Sequence, residues 1–256
     1  MVERVEQARA YVLHQRPYRE TSLLLEVFSR EYGRVGLVAN GARRPKSRLR
    51  GVLQPLQESL LSWQLRGELG GLRQAESYGS NPRLLGDGLY AGFYMNELLM
   101  RLSARSDPHV DLYDSYHAAL QTLSAGQEPG VVLRLFERDL LEAIGYGLEL
   151  AFESETGAPV EPSGHYVFDP LSGVSRAMQS ANAVTITGAA LLGLQSGDLQ
   201  DPALRKQAKW VLQVALNHLL DHRPLKTVQM IRQMRLSNAA AQRNSHNYSA
   251  EPDASP

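Results

Sequence analysis

The sequence contains no cysteine among its 256 residues. This absence excludes disulfide bonds, a thiolate nucleophile and a zinc site built from thiolates. The chain also lacks any run of about 20 apolar residues, the length that a membrane-spanning helix requires. Its first residues, MVERVEQARAYVL, lack the apolar core of a signal peptide. These absences predict a soluble cytoplasmic protein with no membrane contact.

Net charge is absent as well, because 27 Lys and Arg residues balance 27 Asp and Glu residues. A uniformly basic surface is therefore excluded, and any site for nucleic acid must be a local patch. Hydrophobic residues make up 43% of the chain, which is enough for a substantial core. The length suits one large domain or two small ones.

Motifs for catalysis and for metal binding are missing too. The chain has neither a G-x-S-x-G nor an H-E-x-x-H motif. Residues 41–47 faintly resemble a phosphate-binding loop. We reject this interpretation, because Pro45 removes a backbone donor that such a loop needs. His218 and His222 have the spacing of a shared metal site but no third ligand, which favours a surface pair. We predict no enzyme activity, no metal and no other cofactor.

The N-terminal part of the chain has the two-residue alternation of β-strands with one buried face. We expect a turn around Pro17 between the first two strands. The predicted strands lie near residues 10–15, 23–28, 34–39, 52–65 and 69–78. About five short strands in about 70 residues favour a small closed barrel.

Composition changes at residues 79–88, which are rich in Gly, Asn, Pro and Asp. Helical spacing follows, interrupted by an irregular stretch with a small hairpin. Predicted helices cover residues 89–102, 110–123, 130–144, 187–194, 202–222 and 226–235, and the hairpin contains residues 165–169. We therefore predict a barrel domain at 1–80, a helical domain at 81–236 and a disordered tail at 237–256.

A basic stretch follows the third predicted strand and reads GRVGLVANGARRPKSRLRG from Gly33 to Gly51. Gly41 and Pro45 interrupt regular structure, so a loop is expected there. The stretch contains no acidic residue, and its cations are Arg34, Arg43, Arg44, Lys46, Arg48 and Arg50. Its composition is compatible with a phosphate-binding surface and with an ordinary solvated loop.

A second group of cations lies near the C-terminal end. Asp221 is the only acidic residue between Arg205 and Arg235. The cations of this stretch are Arg205, Lys206, Lys209, Arg223, Lys226, Arg232 and Arg235. Positive charge is thus segregated into two parts of a neutral chain.

Fragments along most of the chain resemble the bacterial RecO family of DNA repair proteins and recombination mediators. In the predicted barrel they are Ala10-Tyr-Val-Leu-His14, Arg16-Pro17-Tyr18, Glu20-Thr-Ser22, Gly33-Arg34-Val35, Val38-Ala-Asn-Gly-Ala-Arg43 and Gly51-Val-Leu-Gln-Pro55. In the helical part they are Tyr90, Tyr94-Met-Asn-Glu-Leu98, Arg134-Leu-x-Glu137, Leu141, Gly145-Tyr146-Gly147 and Pro224-Leu-Lys226. Each fragment is weak alone, but the combination is specific and extends to about Arg235.

The resemblance implies an OB-fold barrel followed by a helical domain, an α+β fold. It also implies a protein that binds single- and double-stranded DNA and anneals complementary strands. With the partner RecR, such proteins help to load RecA onto single strands covered by the single-strand binding protein SSB, in the bacterial nucleoid. Many family members hold zinc with four cysteines after the Gly-Tyr motif. The corresponding stretch here, residues 148–182, has none, so its hairpin must hold by packing alone.

We predict that the six cations of the basic stretch contact DNA, with Tyr18 and Tyr32 as candidates for base stacking. The resemblance further implies a helical-domain site for the SSB C-terminal tail, an acidic peptide with an apolar end. The expected residues of this site are the apolar stripe at 89–102 with Arg101, Arg134, Lys206 and Lys209. The alternative function is a protein interaction scaffold whose DNA contact is secondary.

Overall fold

The computed structural model describes residues 3–79, 82–177, 184–234 and 236–237. The predicted domain boundary between residues 80 and 81 lies outside these ranges, as do Arg235 and residues 238–256 of the predicted tail. Residue 237, predicted to begin that tail, is helical. Within the described ranges, no helix is long and apolar enough to cross a membrane.

The N-terminal part is a closed five-stranded barrel. Its elements are β1 (Glu3–Tyr18), β2 (Ser22–Ser29), β3 (Gly33–Ala39), the single-turn helix α1 (Leu49–Val52), β4 (Glu58–Arg66) and β5 (Leu69–Ser77). The strand order is β1-β2-β3-β5-β4, and β4 pairs back onto β1. The pairing of β3 with β5 is parallel, whereas the other barrel pairs are antiparallel. A small five-stranded barrel of this kind is an OB fold.

Alternate residues of the strands fill the barrel. Leu25 and Val27 on β2, Leu37 on β3, and Leu61 and Trp63 on β4 have no exposed surface. Successive side chains of a strand point to opposite faces, so the alternation seen in the sequence places these residues inside. The predicted barrel is confirmed.

The bounds of two strands differ from the sequence prediction, and the first of them, β1, begins at Glu3 instead of near residue 10. β1 continues through Pro17, which pairs with Leu23, and the turn falls at residues 19–21. Proline fits a strand where the ladder does not need its missing N–H. Residues 52–57 were predicted as the start of the fourth strand, but they contain the end of α1 and irregular chain.

Helices dominate the rest of the described chain. They are α2 (Gly86–Leu102), α3 (Val110–Ser124), α4 (Pro129–Ala143), α5 (Gly188–Ser196), α6 (Pro202–Leu219) and α7 at residues 226–234. A small sheet lies between α4 and α5, formed by β6 (His165–Asp169), β7 (Gly173–Arg176) and β8 (Ile186–Thr187) in the order β7-β6-β8. The α+β fold class is confirmed.

Local sequence signals set several helix ends. The Glu128 side chain accepts hydrogen bonds from the first turn of α4, and the Asp201 side chain does the same for α6. A proline follows each cap, where its fixed φ suits the first helical turn. α6 ends at Leu219, before the predicted residue 222, because Asp221 and His222 adopt positive φ angles of 50° and 56°. The predicted histidine pair therefore does not share one helix.

The small sheet packs into the helical core. Tyr166 and Phe168 of β6, Val174 of β7 and Ile186 of β8 are buried in the same cluster as the helix side chains. The Tyr166 hydroxyl accepts a hydrogen bond from the Glu161 backbone N–H at 2.8 Å. Apolar burial of this extent stabilises the segment without a covalent link.

A buried carboxylate joins the barrel to the helices. Glu58 of β4 is 4% exposed and accepts hydrogen bonds from Arg9 Nε at 2.8 Å and the Tyr113 hydroxyl at 2.7 Å. His117 Nδ1 lies 3.4 Å from the second carboxylate oxygen of Glu58 and 2.7 Å from the Tyr11 hydroxyl. Burial, reinforced by the nearby Glu58 charge, raises the pKa values of Tyr11 and Tyr113. Residues of β1, β4 and α3 thus share one hydrogen-bonded group.

Asn96 of α2 makes a second buried connection. Its amide nitrogen donates to the Leu13 carbonyl of β1 at 3.0 Å, and its amide oxygen accepts from the Tyr116 hydroxyl of α3 at 2.5 Å. Tyr11 packs edge-on against Tyr116 with 5.0 Å between ring centroids. Buried polar groups that are fully hydrogen-bonded favour one arrangement over others, so the barrel has a defined orientation against the helices.

Candidate nucleic-acid interface

The basic loop, residues 40–50, follows β3 and includes the first two residues of α1. Its side chains Arg43, Arg44, Lys46, Arg48 and Arg50 are all exposed. The backbone folds through two turns, because Arg44 N–H donates to the Gly41 carbonyl at 3.1 Å and Ser47 N–H donates to the Arg44 carbonyl at 3.0 Å. Gly41 has a φ of +69°, which favours glycine. The loop therefore presents five cations on a folded backbone.

The charges of the basic loop are not neutralised within the described residues. None of its five cationic side chains lies within ion-pair distance of a described carboxylate. The Arg43 side chain donates to two backbone carbonyls, those of Glu20 at 3.3 Å and Arg19 at 3.5 Å. A cluster of one sign without counter-charges attracts anions across roughly 8–10 Å at physiological salt.

Arg34 does not belong to this cluster, which corrects the sequence prediction. It lies at the start of β3, roughly 20 Å along the strand from the loop at about 3.3 Å per residue. Its Nη1 donates to the Met100 carbonyl of α2, and burial lowers its pKa. Arg34 is half-buried between barrel and helices and is occupied by a structural contact.

A groove runs across the barrel beside the loop, and we call it the stacking groove. Its volume is about 510 Å³, and it is lined by Tyr18, Arg19, Val38, Asn40, Gln64, Leu69, Gly70, Gly71 and Arg73. These residues come from the β1–β2 turn, the end of β3 and the β4–β5 hairpin. OB folds bind oligonucleotides with the corresponding strand face and loops.

Tyr18 supplies an aromatic surface in this groove. Its ring is half-buried, and the Arg19 guanidinium lies 5.1 Å from the ring centroid. Aromatic rings in such grooves stack nucleobases, with a contribution of about 1–3 kcal/mol per base. Tyr32, the other candidate, instead packs edge-on against the buried Trp63 at 5.3 Å. Tyr32 is therefore partly buried against the barrel core, and its role in base stacking stays a prediction.

Gly71 leaves the floor of the stacking groove open. A Cβ atom added there would meet no atom within 4 Å, whereas one added at Gly70 would lie 2.7 Å from Leu37 inside the barrel. Gly70 therefore avoids a clash inside the barrel, whereas no such clash restricts Gly71. At Gly71 the absent side chain leaves space for a flat group to approach the backbone.

A second groove, the cationic groove, has a separate lining near the β1–β2 turn. Its volume is about 470 Å³, and it is lined by Gln15, Arg16, Pro17, Leu23, Ala42, Arg43, Arg50 and Gln54. Arg16 was not predicted as a site residue, because it lies 27 positions before Arg43, the first cation of the basic loop. Strand pairing brings it there, and the only sequence signal was its place in the Arg16-Pro17-Tyr18 fragment.

Arg134 is corrected as a partner-binding residue, because its side chain lies inside the helical part. Arg134 is 4% exposed and Glu137 is fully buried. Arg134 Nη2 donates to Glu137 Oε1 at 2.6 Å, and the Tyr94 hydroxyl donates to the same oxygen at 2.6 Å. Burial raises the pKa of Glu137, although these partners and the Lys209 charge oppose the shift.

Lys206 and Lys209 lie on α6 with exposed side chains. Neither forms an ion pair within the described part of the chain. Their neighbour Arg205 differs, since its Nε lies 3.2 Å from Glu128 Oε2. These two lysines remain accessible as predicted contacts for an acidic partner.

An apolar groove lies between α2 and α7, and we call it the helical groove. Its volume is about 570 Å³, and its lining includes Phe93, Met100, Arg101, Lys226 and Met230. Arg101 is engaged, because it pairs with Glu97 at 3.1 Å and donates to the carbonyls of residues 223 and 224. Lys226 makes no ion pair with a described residue. Lys206 and Lys209 do not line this groove.

Glu97 of α2 lines the helical groove and holds α7 against α2. Its carboxylate accepts hydrogen bonds from the backbone N–H groups of Lys226 and Thr227, both at 2.8 Å. Burial acts to raise the pKa of Glu97, but these hydrogen bonds and Arg101 outweigh it and lower the pKa. The carboxylate also satisfies the first N–H groups of α7, as an N-terminal cap does.

These features define a class: an OB-fold barrel with a cluster of exposed cations and a groove that contains an aromatic ring, fixed to a helical domain. Residues 1–81 match the family described as recombination protein O N terminal, and residues 85–229 match recombination protein O C terminal. The chain therefore belongs to the RecO family of DNA repair proteins, and the resemblance drawn from sequence fragments is confirmed.

Individual relatives agree with the family matches. The chain is 39% identical over 236 residues to the DNA repair protein RecO of Azoarcus sp., covering 91% of this chain and 97% of that protein. It is 44% identical over 223 residues to the protein of the same name in Methylococcus capsulatus, covering 87% and 91%. It is 44% identical over 236 residues to the DNA repair protein RecO of Xanthomonas euvesicatoria, covering 89% of this chain and 96% of that protein.

Replacing Arg134 with Met is expected to lower the free energy of unfolding by about 3–5 kcal/mol, because it leaves the Glu137 carboxylate buried without its cation. The loss should shrink as the pH falls towards the ordinary carboxyl range, since protonation removes the buried charge from a group whose folded pKa is raised. Urea unfolding followed by circular dichroism measures this.

Lys206→Met is the matched control for that experiment, since it removes an exposed cation from the same part of the protein. It is expected to change the unfolding free energy by no more than about 0.5 kcal/mol. Equal effects of the two substitutions would contradict the buried role of Arg134.

Proposed function

We propose that this chain binds single- and double-stranded DNA through its barrel and anneals complementary strands. Together with RecR, it helps to load RecA onto single-stranded DNA covered by SSB, in the bacterial cytoplasm at the nucleoid. The observation that supports this most strongly is the basic loop beside an OB-fold groove, whose five cations form no ion pair with any carboxylate that the structure describes. The role is that of a mediator and not of an enzyme.

Phosphate contacts explain how one surface accepts any sequence. Arg and Lys side chains neutralise backbone phosphates and release condensed counterions, which carries no sequence information. Annealing needs this property, because the protein must accept every pair of complementary strands. Arginine, which supplies four of the five cations of the loop, also suits phosphates through its planar array of donors.

An interaction scaffold with only a secondary DNA contact is the second candidate function. The helical groove favours it, since Phe93 and Met230 are exposed there to 36% and 45%. Such apolar exposure is typical of protein-binding surfaces. Binding assays with DNA and with partner proteins separate the two functions, because a scaffold retains its partners when DNA binding is lost.

Replacing Arg43, Arg44, Lys46 and Arg48 together with Ala is expected to weaken single-strand binding and to flatten its salt dependence. If about three phosphate contacts are lost, the slope of log affinity against log salt concentration should fall by about 2, at roughly 0.7 per phosphate. Fluorescence anisotropy of a labelled oligonucleotide at several salt concentrations measures this slope.

A variant with the same loss of charge serves as the control for this experiment. It replaces four exposed cations of the helical part, Arg83, Lys206, Arg223 and Arg232, with Ala. The slope should change less in this control than in the loop variant. An unchanged slope in the loop variant would contradict a DNA-binding role for the basic loop.

The helical domain is proposed to receive the SSB C-terminal tail. An acidic peptide with an apolar end and a free carboxylate needs an apolar surface beside a cation. Lys206 and Lys209 offer exposed charge on α6, and the helical groove offers Phe93 and Met230 beside Lys226. Salt should weaken the electrostatic part of this binding, whereas the apolar part should persist.

Binding of a labelled acidic tail peptide distinguishes these two locations. Lys206→Glu with Lys209→Glu should abolish binding if the peptide lies on α6, because each substitution replaces attraction with repulsion. Phe93→Ser with Lys226→Glu should abolish it if the peptide lies in the helical groove. Isothermal titration calorimetry measures both variants against the unmodified chain. No peptide binding by the unmodified chain at high micromolar concentration would contradict the proposed partner site.

A further inference from the structure

Two separate grooves with neighbouring linings lie on the barrel, and we call the segments between them the wall. Tyr18 and Asn40 line the stacking groove, whereas Arg16 and Ala42 line the cationic groove. The two linings share no residue, although they use neighbouring positions of the same two segments. The wall between them consists of the β1–β2 turn and residues 40–43.

Hydrogen bonds make this wall a fixed feature. Arg43 N–H donates to the Thr21 carbonyl at 2.8 Å, and Arg43 Nη1 donates to the Glu20 carbonyl at 3.3 Å. Arg19 adopts a positive φ of 52°, which closes the turn tightly. Because Arg43 both lines the cationic groove and ties the loop to the turn, the loop cannot swing aside without breaking these bonds.

The chemistry of the two grooves differs. The stacking groove has an aromatic ring at Tyr18, an open floor at Gly71 and the Arg73 guanidinium, which donates to Gln64 Oε1 at 2.7 Å. These groups suit a single strand with unpaired bases. The cationic groove has Arg16, Arg43 and Arg50 but no aromatic side chain. It suits a phosphate backbone whose bases point elsewhere.

We propose that the two grooves hold two different DNA strands at once, with the wall of residues 19–21 and 40–43 between them. This inference rests on the proposed function and specifies its DNA site. The strand in the stacking groove is held by its bases and its backbone, and the strand in the cationic groove by its phosphates alone. Two strands on one chain meet at a high effective concentration, and this proximity accelerates annealing.

The number of strands bound per chain tests the proposal. Oligothymidylate of about 20 nucleotides exceeds the 4–16 nucleotides that one OB fold covers, and it cannot pair with itself. With this DNA in excess, sedimentation followed at two wavelengths gives the ratio of DNA to protein in the complex, whatever the oligomeric state. We expect two strands per chain. One strand that crosses both grooves would instead give a ratio of one.

Variants assign each strand to its groove. Gly71→Leu fills the stacking groove without changing the charge or meeting a neighbouring atom at its Cβ position. Arg16→Ala with Arg50→Ala removes cations from the other groove. Each should reduce the ratio from two to one and slow the annealing of complementary oligonucleotides by at least about tenfold. If Gly71→Leu fails to fold, Tyr18→Ala with Arg73→Ala addresses the same groove.

Arg83→Ala with Arg232→Ala removes two exposed cations from the helical part and should leave the ratio at two. A ratio of one for the unmodified chain would overturn the two-strand proposal and leave the proposed function intact. No binding at all would overturn both. A ratio of two in the unmodified chain and in both groove variants would overturn the assignment of the strands to these grooves.

Discussion

The buried carboxylate of Glu58 is the contact on which the arrangement of the two parts depends. A carboxylate removed from water is costly unless it is hydrogen-bonded and paired, and Arg9 with Tyr113 meets that requirement from β1 and α3. The rings of Tyr11 and Phe28 in the barrel also pack against the Tyr113 ring of α3. These contacts support the same placement of the barrel against the helices. Helices cover this side of the barrel, whereas the described linings of both grooves come from residues 15–73 of the barrel part.

Charge placement explains how a neutral chain can act on DNA. The cations of the basic loop form no ion pair with a carboxylate in the described part of the chain, whereas cations at the domain interface are occupied: Arg30 forms two hydrogen bonds with Asp114, and Arg105 pairs with Glu26. Paired charges connect elements of the fold. Charges without a paired carboxylate produce a positive electrostatic potential outside the protein, which salt screens. The distinction between these two groups, more than the total charge, defines the proposed DNA surface.

Sequence patterns predicted the barrel, the order of the helices and the exposed basic loop, because alternation, helical spacing and turn residues are local signals. They did not distinguish Arg34 and Arg134 from surface cations, since burial depends on which elements pack together. The grooves were missed for the same reason. Arg16 and Gly71 acquire their places through strand pairings between distant segments, and nothing in the residues adjacent to them in sequence indicates a shared surface.

Ultraviolet crosslinking of oligothymidylate to the intact chain tests the central claim, that the barrel is the DNA-binding part, most directly. The crosslinks form through the thymine bases, so the crosslinked peptides identified by mass spectrometry should come mainly from the lining of the stacking groove, at residues 18–19, 38–40 and 69–73. Their yield should fall as salt is raised, because the contacts are largely to phosphates. Crosslinks confined to the helices at residues 86–234 would contradict the account.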